Sequence, residues 1–352
     1  MTLKEAAVDK KNNLNFIRLF ASLMVLYMHS FAICIADQSQ DIFGILTFKK
    51  ELAGGIAVDI FFVISGFLII RSFDRSRSLS RYFKARFLRI WPLLCIVVLL
   101  SCFVLGPLVS DYGPKIYFMG DYQGYLLNMF FIGSQSTLPG LFTNHYSHAI
   151  NGSLWTLTYE VICYFLVVML FPLWSRYKAS GPVFAISMGI IHLIYSTGHG
   201  IGLGPVSPDF ISNFARLSMF FAVGSTYYLY EDRIKLKWQY FLLALILDLF
   251  LTYFFDFSIV FAVFGSYLIF FIAFQKKFVA RAYDKVGDLS YSIYLLAFPI
   301  QQTLLHFMGH PTETYNTMTM DPYLNMALTV LILIPLSYMS WHLIEKQFLK
   351  LK

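Results

Sequence analysis

Long apolar runs, each ended by a short polar or basic stretch, dominate the 352-residue chain. Ten runs of about 16 to 24 residues lie near 14–36, 55–71, 88–109, 154–174, 182–197, 210–230, 238–255, 257–274, 287–308 and 323–345. None shows the period of two that a half-buried strand requires. A helix crossing a bilayer needs roughly 20 apolar residues. Backbone inside hydrocarbon must also satisfy its own hydrogen bonds, which favours helices. The pattern predicts an all-α, polytopic membrane helix bundle of about ten transmembrane helices, organised as one domain over 1–352. The runs 238–255 and 257–274 are parted only around Asp256, which predicts a tight hairpin. The longest stretch outside the runs is about 110–153. Its YLLNMFFIG piece is too short to span and reads as interfacial or re-entrant.

Composition sharpens this picture. The chain is 58% hydrophobic and 13% charged, against about 25% charged for an average soluble protein. Its cations are unevenly placed. With the N-terminus inside, 22 of the 27 Lys and Arg fall in cytoplasmic segments, seven of them in the loop of about 71–89. The other side has only Lys49, Lys50 and Lys115, while Arg18 and Arg216 lie within helices. This bias predicts that both termini are cytoplasmic. The net charge of +7 thus reflects topology, not nucleic-acid binding. The first run has no small-residue cleavage site and is expected to stay as a span. Cys34, Cys95, Cys102 and Cys163 lack paired spacing, so they read as core residues, with no disulfide framework and no metal site.

Ionisable residues at membrane depth are costly and point to function. They are Arg18, His29, Asp59, Arg89, Glu160, Arg216 and Asp248. Helix direction puts His29, Asp59, Glu160 and Arg216 at one depth near the outer side, and Arg18, Arg86 and Arg89 near the cytoplasm. In RLFASLMVLYMH (18–29), eleven residues at ~100° each come to ~20° past three turns, so Arg18 and His29 share a face. They are ~16 Å apart along the axis. A coenzyme A thioester has the same layout, with phosphates at one end and a reactive acyl group at the other. Structural roles compete at each position. Helical histidines often serve packing, basic loops are needed for topology, and Asp59 can pair helices. Gly55 and Gly66 read as close-packing positions. Arg216 and Asp248 fit either an internal salt bridge or a transport path.

Several motifs occur in order: NFIR at 15–18 leading to His29, GIAVDIFFVISGFL at 55–68, ARFLRIWP at 85–92, NGSLWTLTYE at 151–160, GDLSYSIYL at 287–295 and SYMSWHLIEK at 337–346. Together they closely resemble the integral-membrane acyltransferase-3 family over nearly the whole chain. The resemblance implies a membrane enzyme of a bacterial inner membrane. It would move an acyl group, by family expectation acetyl, from cytoplasmic acetyl-CoA to a hydroxyl of a cell-surface or lipid-linked carbohydrate. It implies His29 as the essential histidine and general base, Asp59 and Glu160 as acidic partners, and Arg18, Arg86 and Arg89 as ligands of the CoA phosphates. Three departures stand out. Asn15 replaces a frequent aspartate, Leu296-Ala297 stand where a Trp-His pair is common, and Gln347 replaces a proline. The missing second histidine bears on the acceptor, not on His29. Two rival readings are a proton-coupled secondary transporter and a non-catalytic component of envelope glycan assembly.

Overall fold

The computed structural model describes residues 1–8, 12–131, 135–202, 206–275, 286–313 and 316–352, and each of the ten apolar runs is a helix in it. They are α1 (Leu14–Cys34), α2 (Ala53–Ser76), α3 (Leu79–Val109), α4 (Trp155–Arg176), α5 (Ser180–Ser196), α6 (Pro208–Leu229), α7 (Trp238–Phe254), α8 (Phe257–Ala273), α9 (Ser290–Met308) and α10 (Pro322–Leu349). Lys10, Lys11, Lys276, Lys277, Arg281 and Lys285 of the charge count lie outside the described residues. The YLLNMFFIG piece, described only as far as Phe131, starts within a short helix at Gln123–Leu126 and continues in a single 3₁₀ turn at Leu127–Phe130.

Five helices among the described residues, α1, α2, α3, α4 and α10, are long and apolar enough to cross a membrane. Three more, α5, α7 and α8, are apolar but shorter. Helices α6 and α9 are long but polar in part. Ser290, Ser292, Gln301 and Gln302 of α9 are each fully buried. A helix enclosed by protein rather than lipid need not be apolar all round, provided its polar groups find partners.

The residues divide into two compact units. One comprises Met1–Ala21, Ile42–Tyr82 and Tyr159–Tyr283; the other comprises Ser22–Asp41, Phe83–Thr158 and Asp284–Lys352. In the first unit α2 and α6 cross at Gly66 and Gly224. A Cβ on Gly66 would land on the carbonyl oxygen of Phe221, and one on Gly224 on that of Val63. Two backbones can approach this closely only where side chains are absent. The hydroxyl of Ser225 then donates to the Gly66 carbonyl at 3.2 Å. The α7–α8 hairpin turns at Asp256, whose side chain caps α8 by accepting from the Ile259 amide at 3.1 Å. Lys50 Nζ donates to the carbonyls of Thr252, Tyr253 and Phe255. It thereby satisfies acceptors left open at the end of α7.

In the second unit, α9 carries Pro299, which has no N–H to offer the Leu295 carbonyl one turn earlier. Asn151 Nδ2 supplies that missing hydrogen bond at 2.8 Å. Gln301 of α9 reaches α1, donating to the Leu26 carbonyl and to Ser30 Oγ. Two-residue strands, β1 (His310–Pro311) and β2 (Met318–Thr319), pair antiparallel after α9.

Candidate functional site

In the second unit His29 lies on α1, nearly buried, with its ring edge-to-face on Phe298 of α9 at 4.9 Å and 80°. Phe298 packs in a core with Ile33, Cys34, Leu305 and Met320. On another side Gly152 leaves room for the Phe298 ring, where a Cβ would come within 2.5 Å of a ring carbon. The loop residues Asn151 and Gly152 thus fix Phe298 twice, through the backbone of α9 and by steric fit. Phe298 in turn sets the plane of the imidazole. The Nδ1 atom of His29 is buried and has no hydrogen-bond partner among the described residues. Nearby, Tyr294 of α9 and Thr156 of α4 share a hydrogen bond of 2.6 Å.

Arg89 of α3 sits at the other end of α9. Its guanidinium pairs with Asp288 at 2.5 Å and with Glu345 at 3.7 Å, and lies 5.7 Å from the Tyr291 ring centroid. Gly287, at φ +104°, takes a backbone form that side chains resist, and Asp288 follows directly. Ser290 donates to Asp288 through both its amide and its hydroxyl. Glu345 reaches the cluster from a π-helical turn at Trp341–Glu345, a widened coil that turns a side chain off its helical face. Arg89 is therefore neutralised by two buried carboxylates. Arg86, one turn earlier, is half-buried, and its Nε has no hydrogen-bond partner among the described residues. Tyr291 and Phe298 are seven residues apart on α9. The arginine cluster and the imidazole thus touch one helix about 10 Å apart along its axis.

The first unit holds the other expected residues. Asp59 is fully buried on α2, with Arg216 Nε 3.5 Å away; Arg216 also binds Glu51. Of the two readings for Arg216, the structure shows the internal salt bridge. Gly55, expected to serve close helix packing, instead makes room for the Glu51 carboxylate, which a Cβ there would strike. Glu160 of α4 accepts a hydrogen bond of 2.5 Å from the Tyr164 hydroxyl. Arg18 is half-buried on α1, and Asp248 is buried on α7 with one carboxylate oxygen lacking a partner among the described residues. No group of three or more potential metal ligands occurs among the described residues.

Sequence reading overlooked Glu51, Asp288 and Glu345 as charge partners. Glu51 precedes its apolar run, while Asp288 and Glu345 sit at helix ends, where an acid needs no special account. The signal available was charge balance, because a buried arginine needs a carboxylate partner.

Residues 11–342 match the family model described as an acyltransferase domain. The chain is 30% identical to an O-acetyl transferase of Shigella phage Sf6 over 345 residues, covering 97% of each chain. It is 30% identical over 187 residues to Nodulation protein 10 of Rhizobium leguminosarum bv. viciae, covering 51% of this chain and 49% of that one. It is 26% identical over 174 residues to the acyltransferase MdmB of Streptomyces mycarofaciens, covering 49% and 41%. No solved structure gives a significant match.

Proposed function

The chain belongs to the acyltransferase-3 family and is an acyltransferase of the O-acetyltransferase kind, and from that membership we propose that it moves an acetyl group from cytoplasmic acetyl-CoA to a carbohydrate hydroxyl. In this reading α1 to α10 all span the inner membrane of a bacterium, with both chain ends in the cytoplasm. His29 is the general base. Its nitrogen takes the proton of the attacking hydroxyl, a C–O bond forms at the thioester carbonyl, and the C–S bond breaks. The imidazolium then returns the proton to the departing thiolate. Histidine suits this work because its ordinary pKa lies near neutrality.

The observation that carries the reading is the arrangement along α9. A buried imidazole, whose Nδ1 has no hydrogen-bond partner among the described residues, and the Arg89 ion-pair cluster, one helical turn from Arg86, touch one helix about 10 Å apart, so an extended thioester arm starting at Arg86 would reach the imidazole. Arg86 offers a guanidinium fork suited to phosphate, and Arg18 stays a proposed phosphate ligand through the family resemblance. Arg89, already held by two carboxylates, serves the fold rather than the phosphates in this reading. Asp59 and Glu160 stay as proposed acidic members through the family resemblance, and Asp59→Asn and Glu160→Gln belong in the same assay.

The test is incorporation of label from radiolabelled acetyl-CoA into glycan in membranes containing the protein. His29→Ala is expected to lower incorporation at least 100-fold at unchanged protein level. Incorporation near the wild-type rate in that variant removes His29 from the mechanism.

A further inference from the structure

The second unit contains another imidazole against α9, four residues beyond His29's contact. His145 lies in the segment between α3 and α4 and is 3% exposed. Its Nδ1 is 2.8 Å from Oε1 of Gln302. The amide of Gln302 has a forced orientation, because its Nε2 donates to the carbonyls of Ser147 and Ala149 at 2.6 and 2.8 Å. Both amide hydrogens are thereby used, and Oε1 can only accept. Nδ1 of His145 must carry the hydrogen, so Nε2 presents a bare lone pair. That Nε2 is buried and has no hydrogen-bond partner among the described residues. An unmet acceptor in a buried place costs stability, which a bound hydroxyl would offset.

Two more rings border His145. Phe142 stacks on His145 at 4.8 Å and 28°, and holds a left-handed φ of +54° that non-glycine residues rarely adopt. The His306 ring lies 5.9 Å from that of His145, and its Nδ1 is likewise buried without a partner among the described residues. His148 and Asp111 also act on His145 electrostatically. Phe298 and Gln302 are one turn apart on one face of α9. The two imidazoles therefore meet the helix at levels about 6 Å apart.

We propose that His145 is a second imidazole of the transfer site, its Nε2 accepting the hydrogen bond of the acceptor's hydroxyl group and holding it for attack. This rests on the acyl-transfer reading above and deepens it on the acceptor side. In that topology this end of α9 faces the outside, where surface glycan lies.

Two substitutions separate this role from a merely structural one. His145→Asn sets an amide N–H where Nδ1–H stands, keeping the bond to Gln302 but deleting Nε2. His145→Gln carries an acceptor oxygen out to where Nε2 lies. Each is tested in membranes bearing the host's own glycan, supplied with radiolabelled acetyl-CoA, together with the thermal midpoint of the detergent-purified protein. We expect His145→Asn to cut label in glycan at least tenfold, with KM for acetyl-CoA and the thermal midpoint as in wild type, and His145→Gln to retain more. A structural role predicts the reverse, with His145→Asn active and His145→Gln impaired, and that result overturns the proposal. If His145→Asn fails to accumulate, His145→Gln against His145→Leu decides by the same ordering. Label within twofold of wild type in every variant removes His145 alone. No label in glycan with the wild-type protein defeats the acyl-transfer reading itself.

Discussion

At the residue scale, two neighbouring arginines that look alike in ARFLRIWP have different surroundings. Arg89 holds Asp288, 7% exposed, and Glu345, 3% exposed. Removing a partner from a buried ion pair leaves uncompensated charge and costs about 3–5 kcal/mol. Arg89→Ala should therefore lower the unfolding midpoint sharply in a detergent melt. Arg86→Ala should leave that midpoint almost unmoved. Losing one charge-assisted hydrogen bond to phosphate, about 1.5–3 kcal/mol, should instead raise KM for acetyl-CoA on the order of tenfold or more. Equal melts for the two variants would mean that the cluster does not hold the fold. The motif shows that arginines stand here. It does not show which is already occupied, because Asp288 and Glu345 lie about 200 and 250 positions away.

At the scale of elements, helices were readable because a bilayer imposes one length and one secondary structure on an apolar run. The contacts between helices were less readable. Gly66 was legible as a packing glycine, but its counterpart Gly224 was not, since a single glycine in a helix has many explanations. The structure shows each beneath a backbone carbonyl of the other's helix. Gly66→Ala or Gly224→Ala should thus cost about 1–3 kcal/mol by overpacking. Leu242→Ala, on an exposed position of α7, provides the control and should change the melt little. Pro299 teaches a similar lesson. A proline within α9 predicts an orphan carbonyl, yet only the folded chain reveals that Asn151 satisfies it.

At the scale of the whole molecule, the strong loop-charge bias makes a testable map. Reporter fusions after Arg77 and after Lys352 should report cytoplasm, and a fusion after Lys115 should report the outer side. A cytoplasmic signal at Lys115 would break the ten-span reading and, with it, the delivery of an acyl group across the membrane. Helices α6 and α9 are the sensitive ones, because their polarity is tolerable only where protein surrounds them.

The sequence by itself determined that this chain is a helical membrane protein with Arg18 and His29 eleven positions apart on α1, and its ordered motifs carried the family. Those properties are local or periodic, so hydrophobicity and spacing suffice to read them. Only the tertiary structure decided which charges neutralise one another, that Phe298 and Gly152 set the plane of His29, and that Gln302 fixes the tautomer of His145. Each depends on atoms distant in sequence meeting within a few ångströms, and a buried polar group's chemistry is set by what it meets rather than by its neighbours along the chain.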